Sequence, residues 1–296
     1  MKEYDVIVIG SGGGTKISTP AALMGKKAAI IEEGPLGGTC LNRGCIPSKM
    51  LIYPGNVANF IRSAEKFDMK TSVKDINFEN IIKRINKVVN GQSKGIEKNY
   101  RSNNIKTLDF FDGHGKFISD KVIEVNGEKI TAKNIVIATG AKPSIPQIEG
   151  LKDVPYMTST EALKNTKLPK KMIIIGGGYI ACELGHAYGA LGAEVHFLVR
   201  SELIRNEDHE IRKEFTKEFS KLYHVHYTSP IKVEYKNKEF IVTTKDKKGK
   251  NEIMKSDALL VATGVVPNTN NLGLENTKIK TSDKGFIEVN KNMETK

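Results

Sequence analysis

The stretch Val6-Ile-Val-Ile-Gly-Ser-Gly-Gly-Gly14 is a short apolar, β-branched run that ends in glycines. The stretch Met172-Ile-Ile-Ile-Gly-Gly-Gly-Tyr-Ile180 has the same arrangement in the second half of the chain. Each stretch is followed by a helical pattern and then by another apolar run, at 27–32 and 194–200. Short buried strands that alternate with helices are typical of parallel sheets covered on both faces. The sequence therefore predicts an α/β fold that contains two β-α-β units.

Repeated Ala-Thr-Gly segments mark the end of each unit. Ile135-Val-Ile-Ala-Thr-Gly140 closes the first unit and Leu259-Leu-Val-Ala-Thr-Gly264 closes the second, while the prolines after residue 142 indicate a linker. We therefore expect one domain over residues 1–150, a second over 151–264, and an incomplete return segment to the first domain over 265–296.

Turn and strand patterns also predict two small antiparallel meanders. The first covers residues 116–130 and contains Asn126-Gly127, a strong signal for a tight hairpin. The second covers residues 231–254, and a further strand is expected at 285–290. Residues 55–105 are expected to be mainly helical, because apolar side chains recur there at helical spacing.

Composition narrows the classes of partner. Lysine and arginine exceed aspartate and glutamate by 46 to 34, a net charge of +12, but the lysines are scattered and are not interleaved with aromatic residues. This pattern favours a solvated lysine-rich surface over a nucleic-acid groove. Three cysteines do not form a secretory disulfide framework, and no apolar run approaches the ~20 residues that span a bilayer. We expect a cytoplasmic protein with neither nucleic acid nor membrane as a partner.

The first glycine loop has the spacing of a dinucleotide site. Gly10 suits the tight turn, Gly12 allows the backbone to approach a pyrophosphate, and the following helix offers unpaired N–H donors. Glu32 ends the next apolar run, where a carboxylate can bind a ribose hydroxyl. Thr15 replaces the usual third glycine or alanine, so we expect Gly14 and the glycine before it to relieve the crowding. The alternative is a flexible glycine turn without a ligand.

A cysteine pair follows closely, in Gly37-Gly-Thr-Cys40-Leu-Asn-Arg-Gly-Cys45-Ile-Pro-Ser-Lys49. Residues five apart diverge on an ideal helix, so a bridge between Cys40 and Cys45 needs a distorted helix entry, which Gly44 can supply. A helix N-terminus and Lys49 are expected to lower a thiol pKa, so that the reduced pair carries a stable thiolate. A low-pKa dithiol beside a dinucleotide loop indicates electron exchange between a flavin and a disulfide.

Two alternatives for the cysteines are a metal site and a pair of buried thiols. Zinc is disfavoured because there is no second cysteine pair and no histidine at ligand spacing, so no metal is predicted. Cys182 follows the second glycine loop and is interpreted as a packed core thiol.

Residues 37–49 resemble the active-site signature of the class I pyridine nucleotide-disulfide oxidoreductases, and the order of motifs is similar over the whole chain. The resemblance implies FAD as a cofactor, Cys40 as the interchange thiol, Cys45 as the thiolate that faces the flavin, and Lys49 near the reactive flavin nitrogen. It implies a function most like that of dihydrolipoyl dehydrogenase. The alternatives are an NADPH-dependent mycothione, glutathione or mercuric reductase type of enzyme, and a non-catalytic nucleotide-binding fragment.

The second glycine loop, Gly176-x-Gly178-x-x-Ala181, follows an apolar run and also fits a dinucleotide. By the resemblance, Tyr179 covers the nicotinamide pocket and Glu183 pairs with Lys49. Without the resemblance, these two residues would be interpreted as an ordinary aromatic contact and an exposed helix charge. The complete set of predicted cofactor-binding residues is Gly10, Gly12, Gly14, Glu32, Gly38, Thr39, Lys49, Gly115, Thr139, Gly140, Gly176, Gly178, Tyr179, Ala181, Arg200, Arg205 and Gly264.

The residues after the run at 194–200 bear on the choice of nucleotide. An NAD site requires a carboxylate at this strand end. By the resemblance, the glutamate usual in dihydrolipoyl dehydrogenases would stand at the position of Val199. Arg200 and Arg205 can instead bind a 2′-phosphate through charge-assisted hydrogen bonds, which favours NADP(H) over NAD(H). Glu202 is the competing candidate, and both arginines could alternatively point into solvent.

The family pattern continues with a Gly-Asp motif and a dimerisation domain that carries a His-Glu pair, and neither lies within these 296 residues. We therefore expect an incomplete catalytic site in this chain and a homodimer for the full-length form. The substrate is expected to be a small-molecule or lipoyl-type disulfide, and its identity is left open.

Overall fold

The computed structural model describes residues 1–102 and 104–295. Its α-helices are α1 (Thr15–Leu23), α2 (Gly38–Arg43), α3 (Cys45–Arg62), α4 (Phe78–Arg101), α5 (Ser159–Ala162), α6 (Tyr179–Ala190) and α7 (His209–Leu222). Its strands are β1 (Lys2–Ile9), β2 (Ala28–Glu32), β3 (Leu108–Asp112), β4 (Lys116–Ser119), β5 (Val122–Val125), β6 (Glu128–Ile137), β7 (Ala141–Pro143), β8 (Lys171–Ile175), β9 (Glu194–Leu198), β10 (His224–His226), β11 (Thr228–Lys236), β12 (Glu239–Asp246), β13 (Asn251–Ser256), β14 (Ala258–Val261) and β15 (Val265–Pro267).

Packing divides the chain into two units. Unit 1 comprises residues 1–46, 88–142 and 265–296, and unit 2 comprises 47–87 and 143–264. The longer stretch of unit 2 therefore begins at residue 143, whereas the second domain was expected to begin at residue 151. The grouping of 47–87 with unit 2, which was not expected, has a physical cause. In unit 2, α3 packs closely on α6, where a Cβ added to Gly55 would lie 3.1 Å from the Ala190 side chain.

The main sheet of unit 1 has the strand order β3-β2-β1-β6-β5-β4. Its first four strands are parallel, and β6 turns the sheet into an antiparallel meander with β5 and β4. Asn126 and Gly127 both have positive φ values, 51° and 79°, as the tight hairpin turn between β5 and β6 requires. The predicted meander and its turn are therefore confirmed.

Alternation along β1 places apolar side chains on both faces of this sheet. Val6 and Val8 pack in the same apolar cluster as Ala22 of α1. Ile7 and Ile9 face the opposite way, into a cluster that includes side chains from the meander such as Phe117. Side chains of a strand point alternately to the two faces, so a continuous apolar run produces a sheet covered on both sides.

Unit 2 repeats this plan with a parallel sheet of order β10-β9-β8-β14 and an antiparallel sheet of order β11-β12-β13. The meander covers one face of the parallel sheet, since Val233, Phe240 and Val242 share a cluster with Ile173 and Ile175. The predicted α/β class, with parallel sheets and small antiparallel meanders, is confirmed.

The return segment belongs to unit 1. The β15 strand pairs with β7, and the Phe117 N–H donates to the Leu272 carbonyl at 2.7 Å. The strand predicted at 285–290 is wrong, because these residues contribute only an isolated bridge between Thr281 and Ile287. Among the described residues, no helix is both long and apolar enough to cross a membrane.

Candidate active site and nucleotide loops

The first glycine of each loop lies against an Ala-Thr-Gly segment. A Cβ added to Gly10 would lie 2.2 Å from the Ala138 carbonyl oxygen, and one added to Gly176 would lie 2.2 Å from that of Ala262. Both glycines have positive φ values, 104° and 134°. The two repeated sequence phrases therefore meet in each unit, and only glycine fits at the meeting point.

At the first loop, Gly14 is the residue at which the helix and the strand come into close contact. A Cβ there would lie 2.2 Å from the Gly10 carbonyl oxygen and 2.5 Å from Cγ1 of Val8. Thr15 instead begins α1, and its hydroxyl donates to the Gly12 carbonyl at 3.0 Å. The structure thus supports the expectation that Gly14 relieves the crowding, whereas the same expectation for Gly13 is wrong, because a Cβ there would meet nothing within 4 Å.

Glu32 is held at the end of β2 by donors from two loops. Its Oε2 accepts from the backbone N–H of Ser11 at 2.8 Å and from the Ser11 hydroxyl at 2.7 Å, and its Oε1 accepts from the Gly34 N–H at 2.9 Å. The buried Ser11 hydroxyl also accepts from the Gly37 N–H at 3.1 Å. This network fixes the carboxylate beside the glycine loop.

The cysteine segment contacts the same loop through glycine. Gly38 has a φ of 62°, and a Cβ there would lie 2.4 Å from the Gly12 Cα. The adjoining residue Thr39 lies in the first turn of α2, and its carbonyl would lie 2.9 Å from a Cβ added to Gly44. Gly44 separates α2 from α3, so the cysteines lie on two different helices, as the expected distorted entry requires.

Cys40 and Cys45 are both exposed, and their side chains are in hydrogen-bond contact. This contact is the largest cause of a raised pKa at the Cys40 thiol, and desolvation adds to it. The backbone N–H of Cys45 and the charge of Lys16 act in the opposite direction. At Cys40 the neighbouring sulfur therefore outweighs the nearby cation.

Gly115 lies close to the end of β2. The Gly113 N–H donates to the Glu32 carbonyl at 2.9 Å, and a Cβ added to Gly115 would lie 3.0 Å from Cδ1 of Ile31. His114 lies between these glycines, and its ring nitrogens are 2.8 Å from Oε2 of Glu33 and 2.8 Å from the Asn271 carbonyl. The hydrogen bond to that carbonyl is the largest cause of a raised His114 pKa.

Thr139 and Gly140 follow β6, and both of their carbonyls accept from one residue of the return segment. The Asn268 N–H donates to the Gly140 carbonyl at 3.0 Å, and the Asn268 side chain donates to the Thr139 carbonyl at 2.9 Å. In unit 2 the equivalent Gly264 accepts from the Ser144 N–H at 2.9 Å. These segments are positioned through their backbones.

The second glycine loop joins β8 to α6. Gly178 is the N-cap residue of α6, and Ala181 is fully buried in its first turn. Tyr179 is 66% exposed, and its ring contacts no other aromatic ring among the described residues. An ordinary aromatic core contact is therefore not the role of Tyr179.

Lys49 and Glu183 form an ion pair within unit 2. Nζ of Lys49 lies 2.5 Å from Oε1 of Glu183, and their side chains are 61% and 34% exposed. Lys49 lies one turn after the start of α3, and Glu183 lies on the second turn of α6. The pair predicted from the resemblance is present, and its lysine is exposed.

The residues after β9 differ in whether their side chains are available to contact a nucleotide. Val199 is buried, and a Cβ on Gly177 would lie 2.9 Å from its side chain. Glu202 forms an ion pair with Arg212 of α7. Arg200 and Arg205 are exposed, and neither has an ion-pair partner in the described part of the chain. The competing carboxylate is therefore engaged, while two guanidinium groups are open to solvent.

Cys182 is a core thiol, as its position after the second loop suggested. It is 5% exposed, and desolvation raises its pKa to about 12. This distinguishes it from the exposed cysteine pair.

The sequence did not reveal several residues that shape these sites. Ser11 and Arg212 were missed because their importance depends on which carboxylate each one contacts. A cluster of His196, His224 and Glu194 was missed because the histidines come together only when β9 pairs with β10. The spacing His224-Val225-His226, alternate positions of a strand, was the available signal.

The fold and these loops define a protein with two α/β units, each with a glycine loop, and an exposed pair of cysteines. A model of the pyridine nucleotide-disulphide oxidoreductase family matches residues 4–296, and the chain belongs to this family. The predicted family is thereby confirmed, and membership supports FAD and a pyridine nucleotide as cofactors.

Individual relatives agree with this family. The chain is 35% identical to a mercuric reductase of Staphylococcus aureus over 297 residues, 99% of this chain and 54% of that protein. It is 34% identical to a dihydrolipoyl dehydrogenase of Chlamydia pneumoniae over 305 residues, 99% of this chain and 63% of that protein. A solved Cu(II) complex of the HOCl-induced flavoprotein disulfide reductase RclA from Escherichia coli aligns with a TM-score of 0.86 and 26% identity, over 100% of this chain and 64% of that one. The chain thus spans about half to two thirds of the length of these relatives.

Proposed function

We propose that this chain is the flavin- and nucleotide-binding part of an oxidoreductase that passes electrons from NADPH to a disulfide substrate through Cys40 and Cys45. The observation that carries the proposal is the hydrogen-bonded thiol pair, held on a segment whose Gly38 lies against Gly12 of the first glycine loop. A reactive dithiol and a dinucleotide loop are useful together when electrons move between them.

The residues of unit 1 fit the ADP half of FAD. Within the described residues, the N–H groups of Gly12, Gly13 and Gly14 have no protein acceptor, and they precede the helix N-terminus that favours a pyrophosphate. Glu32 offers a carboxylate for ribose hydroxyls, and Gly115, which packs closely on Ile31 of β2, would approach the adenine with its backbone. When bound, FAD would supply two-electron transfer between the nicotinamide and the disulfide.

The chemistry at the cysteines balances in atoms and electrons. Two electrons and two protons convert the Cys40–Cys45 disulfide to two thiols. Cys40 then attacks one sulfur of the substrate disulfide, which forms a mixed disulfide and releases the first product thiol. Cys45 attacks the Cys40 sulfur, which releases the second product thiol and restores the disulfide. The two protons of the dithiol leave with the two products.

The pyridine nucleotide site is proposed for unit 2, with a preference for NADP(H). Among the described residues Arg200 and Arg205 have no ion-pair partner and are exposed, whereas Glu202 is engaged by Arg212 and the Val199 side chain has no acceptor. A 2′-phosphate can accept charge-assisted hydrogen bonds from guanidinium groups. NAD(H) offers only a hydroxyl at this place and would need a free carboxylate.

The Arg200→Ala variant tests this preference. A hydrogen bond to a charged group contributes about 1.5–3 kcal/mol, and the exposure of Arg200 favours the lower end, so NADPH binding should weaken about tenfold. NADH binding should be nearly unchanged. Arg84→Ala, which removes an exposed arginine of α4, controls for the loss of one positive charge. Titration of each nucleotide at fixed ionic strength measures the effect, and equal affinity of the parent chain for NADH and NADPH would overturn the preference.

The substrate is proposed to be a small-molecule or lipoyl-type disulfide, as for a dihydrolipoyl dehydrogenase-like enzyme. A second candidate is mercuric ion, favoured by the three relatives at 34–36% identity that are named mercuric reductase. The full-length enzyme is proposed to be a homodimer, in keeping with the family.

Oxidation of NADPH by the FAD-loaded chain, followed in a single turnover, tests the proposed activity. Lipoamide, glutathione disulfide and Hg²⁺ serve as separate acceptors, and Cys40→Ser serves as the control. The proposal expects NADPH oxidation that depends on one of these acceptors and is lost in Cys40→Ser. A yellow protein that binds FAD but reduces none of the acceptors would instead support a non-catalytic nucleotide-binding fragment.

A further inference from the structure

Strands β9 and β10 bring three imidazole rings together in unit 2. His224 of β10 pairs in register with His196 of β9, and His226 lies two residues further along the same strand. The ring centroids of His196 and His224 are 4.4 Å apart with planes 18° apart, and those of His196 and His226 are 5.2 Å apart with planes 10° apart. Alternate residues of a strand share one face, so the three rings project from one side of the sheet.

Glu194 completes this cluster with an oxygen donor. It lies two residues before His196, and its Oε1 is 2.6 Å from Nε2 of that ring. One nitrogen each of His196 and His224 and one carboxylate oxygen of Glu194 all lie within 4.8 Å of one another. The other His196 nitrogen, Nδ1, lies 2.9 Å from Nε2 of His226.

These separations suit a single small ion. Nitrogen and oxygen ligands about 2.1 Å from a tetrahedral ion lie about 3.4 Å from one another, so modest side-chain rotations would bring the three atoms into place. The hydrogen bond to His226 would orient the His196 ring and leave its Nε2 directed towards the ion. His196 is 7% exposed, whereas Glu194 and His224 are exposed, so an ion could enter from solvent.

The donor set also defines the class of ion. Two imidazoles and one carboxylate favour borderline ions such as Zn²⁺ and Co²⁺, whereas Mg²⁺ and Ca²⁺ prefer sites made of oxygen alone. Lys171 lies on the same side, with its Nζ 3.3 Å from Oε1 of Glu194. A bound divalent ion would replace Lys171 as the positive charge that neutralises the Glu194 carboxylate.

We propose that Glu194, His196 and His224 form a binding site for a divalent transition-metal ion, with Zn²⁺ or Co²⁺ as its ligand. Glu194 and His196 lie at the start of β9, whereas the second glycine loop contacts the other end of this strand through the Gly176 N–H and the Leu198 carbonyl, and the site does not depend on the proposed redox function. The ion would fasten the three-residue edge strand β10 to its neighbour β9.

Metal titration of the Cys40→Ser/Cys45→Ser chain tests the site, since this background prevents the dithiol from taking the ion. Isothermal titration with Zn²⁺ should find one site per chain. His224→Gln should weaken it at least tenfold, and circular dichroism checks that this exposed substitution leaves the fold intact. His209→Gln changes an exposed histidine outside the cluster and should leave Zn²⁺ binding unchanged.

Co²⁺ provides an independent readout of the ligands. Its bound form should show visible d–d bands without a thiolate-to-cobalt charge-transfer band, because the ligands are nitrogen and oxygen. Glu194→Gln should also reduce the visible bands. Equal Zn²⁺ binding by His224→Gln and the parent chain, or no Zn²⁺ binding at about 100 μM, would overturn the proposal.

Discussion

The substitution Gly14→Ala tests the close packing at the first glycine loop. Its Cβ would lie 2.2 Å from the Gly10 carbonyl oxygen and 2.5 Å from Cγ1 of Val8. Ordinary contacts of carbon are about 3.5–4.0 Å, so the backbone or the strand must move by about 1 Å. Overpacking of this kind costs about 1–3 kcal/mol. At roughly 2–4 °C per kcal/mol for a domain of 150–250 residues, the melting temperature should fall by several degrees.

Two neighbouring substitutions give matched controls. A Cβ added to Gly13 meets nothing within 4 Å, so Gly13→Ala should leave stability nearly unchanged. Thr15→Ala removes the hydrogen bond to the Gly12 carbonyl and should cost about 1 kcal/mol or less. Thermal unfolding of FAD-free protein, followed by circular dichroism, isolates packing from effects on the ligand. Equal stability of Gly13→Ala and Gly14→Ala, or stabilisation by Thr15→Ala, would refute the assignment of close packing to Gly14.

Three further predictions follow from the cysteines and the ion pair. Because the contact with Cys45 is the largest cause of the raised Cys40 pKa, Cys45→Ala should move the pH midpoint of Cys40 alkylation downwards; mass spectrometry after iodoacetamide labelling measures this, and an unmoved midpoint would contradict it. Cys182 should stay unlabelled in the native protein near neutral pH, because it is buried and its pKa is raised to about 12; rapid native labelling would contradict the described packing. Glu183→Gln should cost no more than about 1 kcal/mol of unfolding free energy, since Lys49 is exposed; a larger loss in urea unfolding would assign the pair a structural role.

The fold was predictable because its signals are local. The glycine loops, the repeated Ala-Thr-Gly phrases and the Asn126-Gly127 turn each require a particular backbone conformation, and the structure places each of them as expected. The short C-terminal strand was mispredicted because alternating apolar residues in an exposed segment resemble a strand even when no sheet edge is available to pair with them.

Packing over long sequence separations could not be predicted in the same way. The assignment of residues 47–87 to unit 2 depends on the fit of Gly55 against α6, and nothing in the local pattern of α3 indicates that neighbour. The boundary expected from prolines was therefore an incomplete description of the domains.

The candidate sites also contain some features that the sequence predicted and others that depend on tertiary contacts. The cysteine pair and the pairing of Lys49 with Glu183 were expected from the resemblance to a family. The engagement of Glu202 by Arg212 and the histidine cluster around His196 depend on side chains brought together by tertiary structure. The raised pKa of Cys40 depends on a contact of the same kind, with the sulfur of Cys45, which the sequence reasoning did not consider.

The most direct test of the proposed function is a thiol count before and after reduction by NADPH. The chain has three cysteines. Air-oxidised, FAD-loaded protein should contain one thiol under denaturing conditions, that of Cys182, because Cys40 and Cys45 are joined in a disulfide. Anaerobic addition of one equivalent of NADPH, followed by denaturation and thiol labelling, should raise the count from one to three as the nucleotide is oxidised. A count that stays at one, or that is already three in the oxidised protein, would contradict electron transfer to a Cys40–Cys45 disulfide.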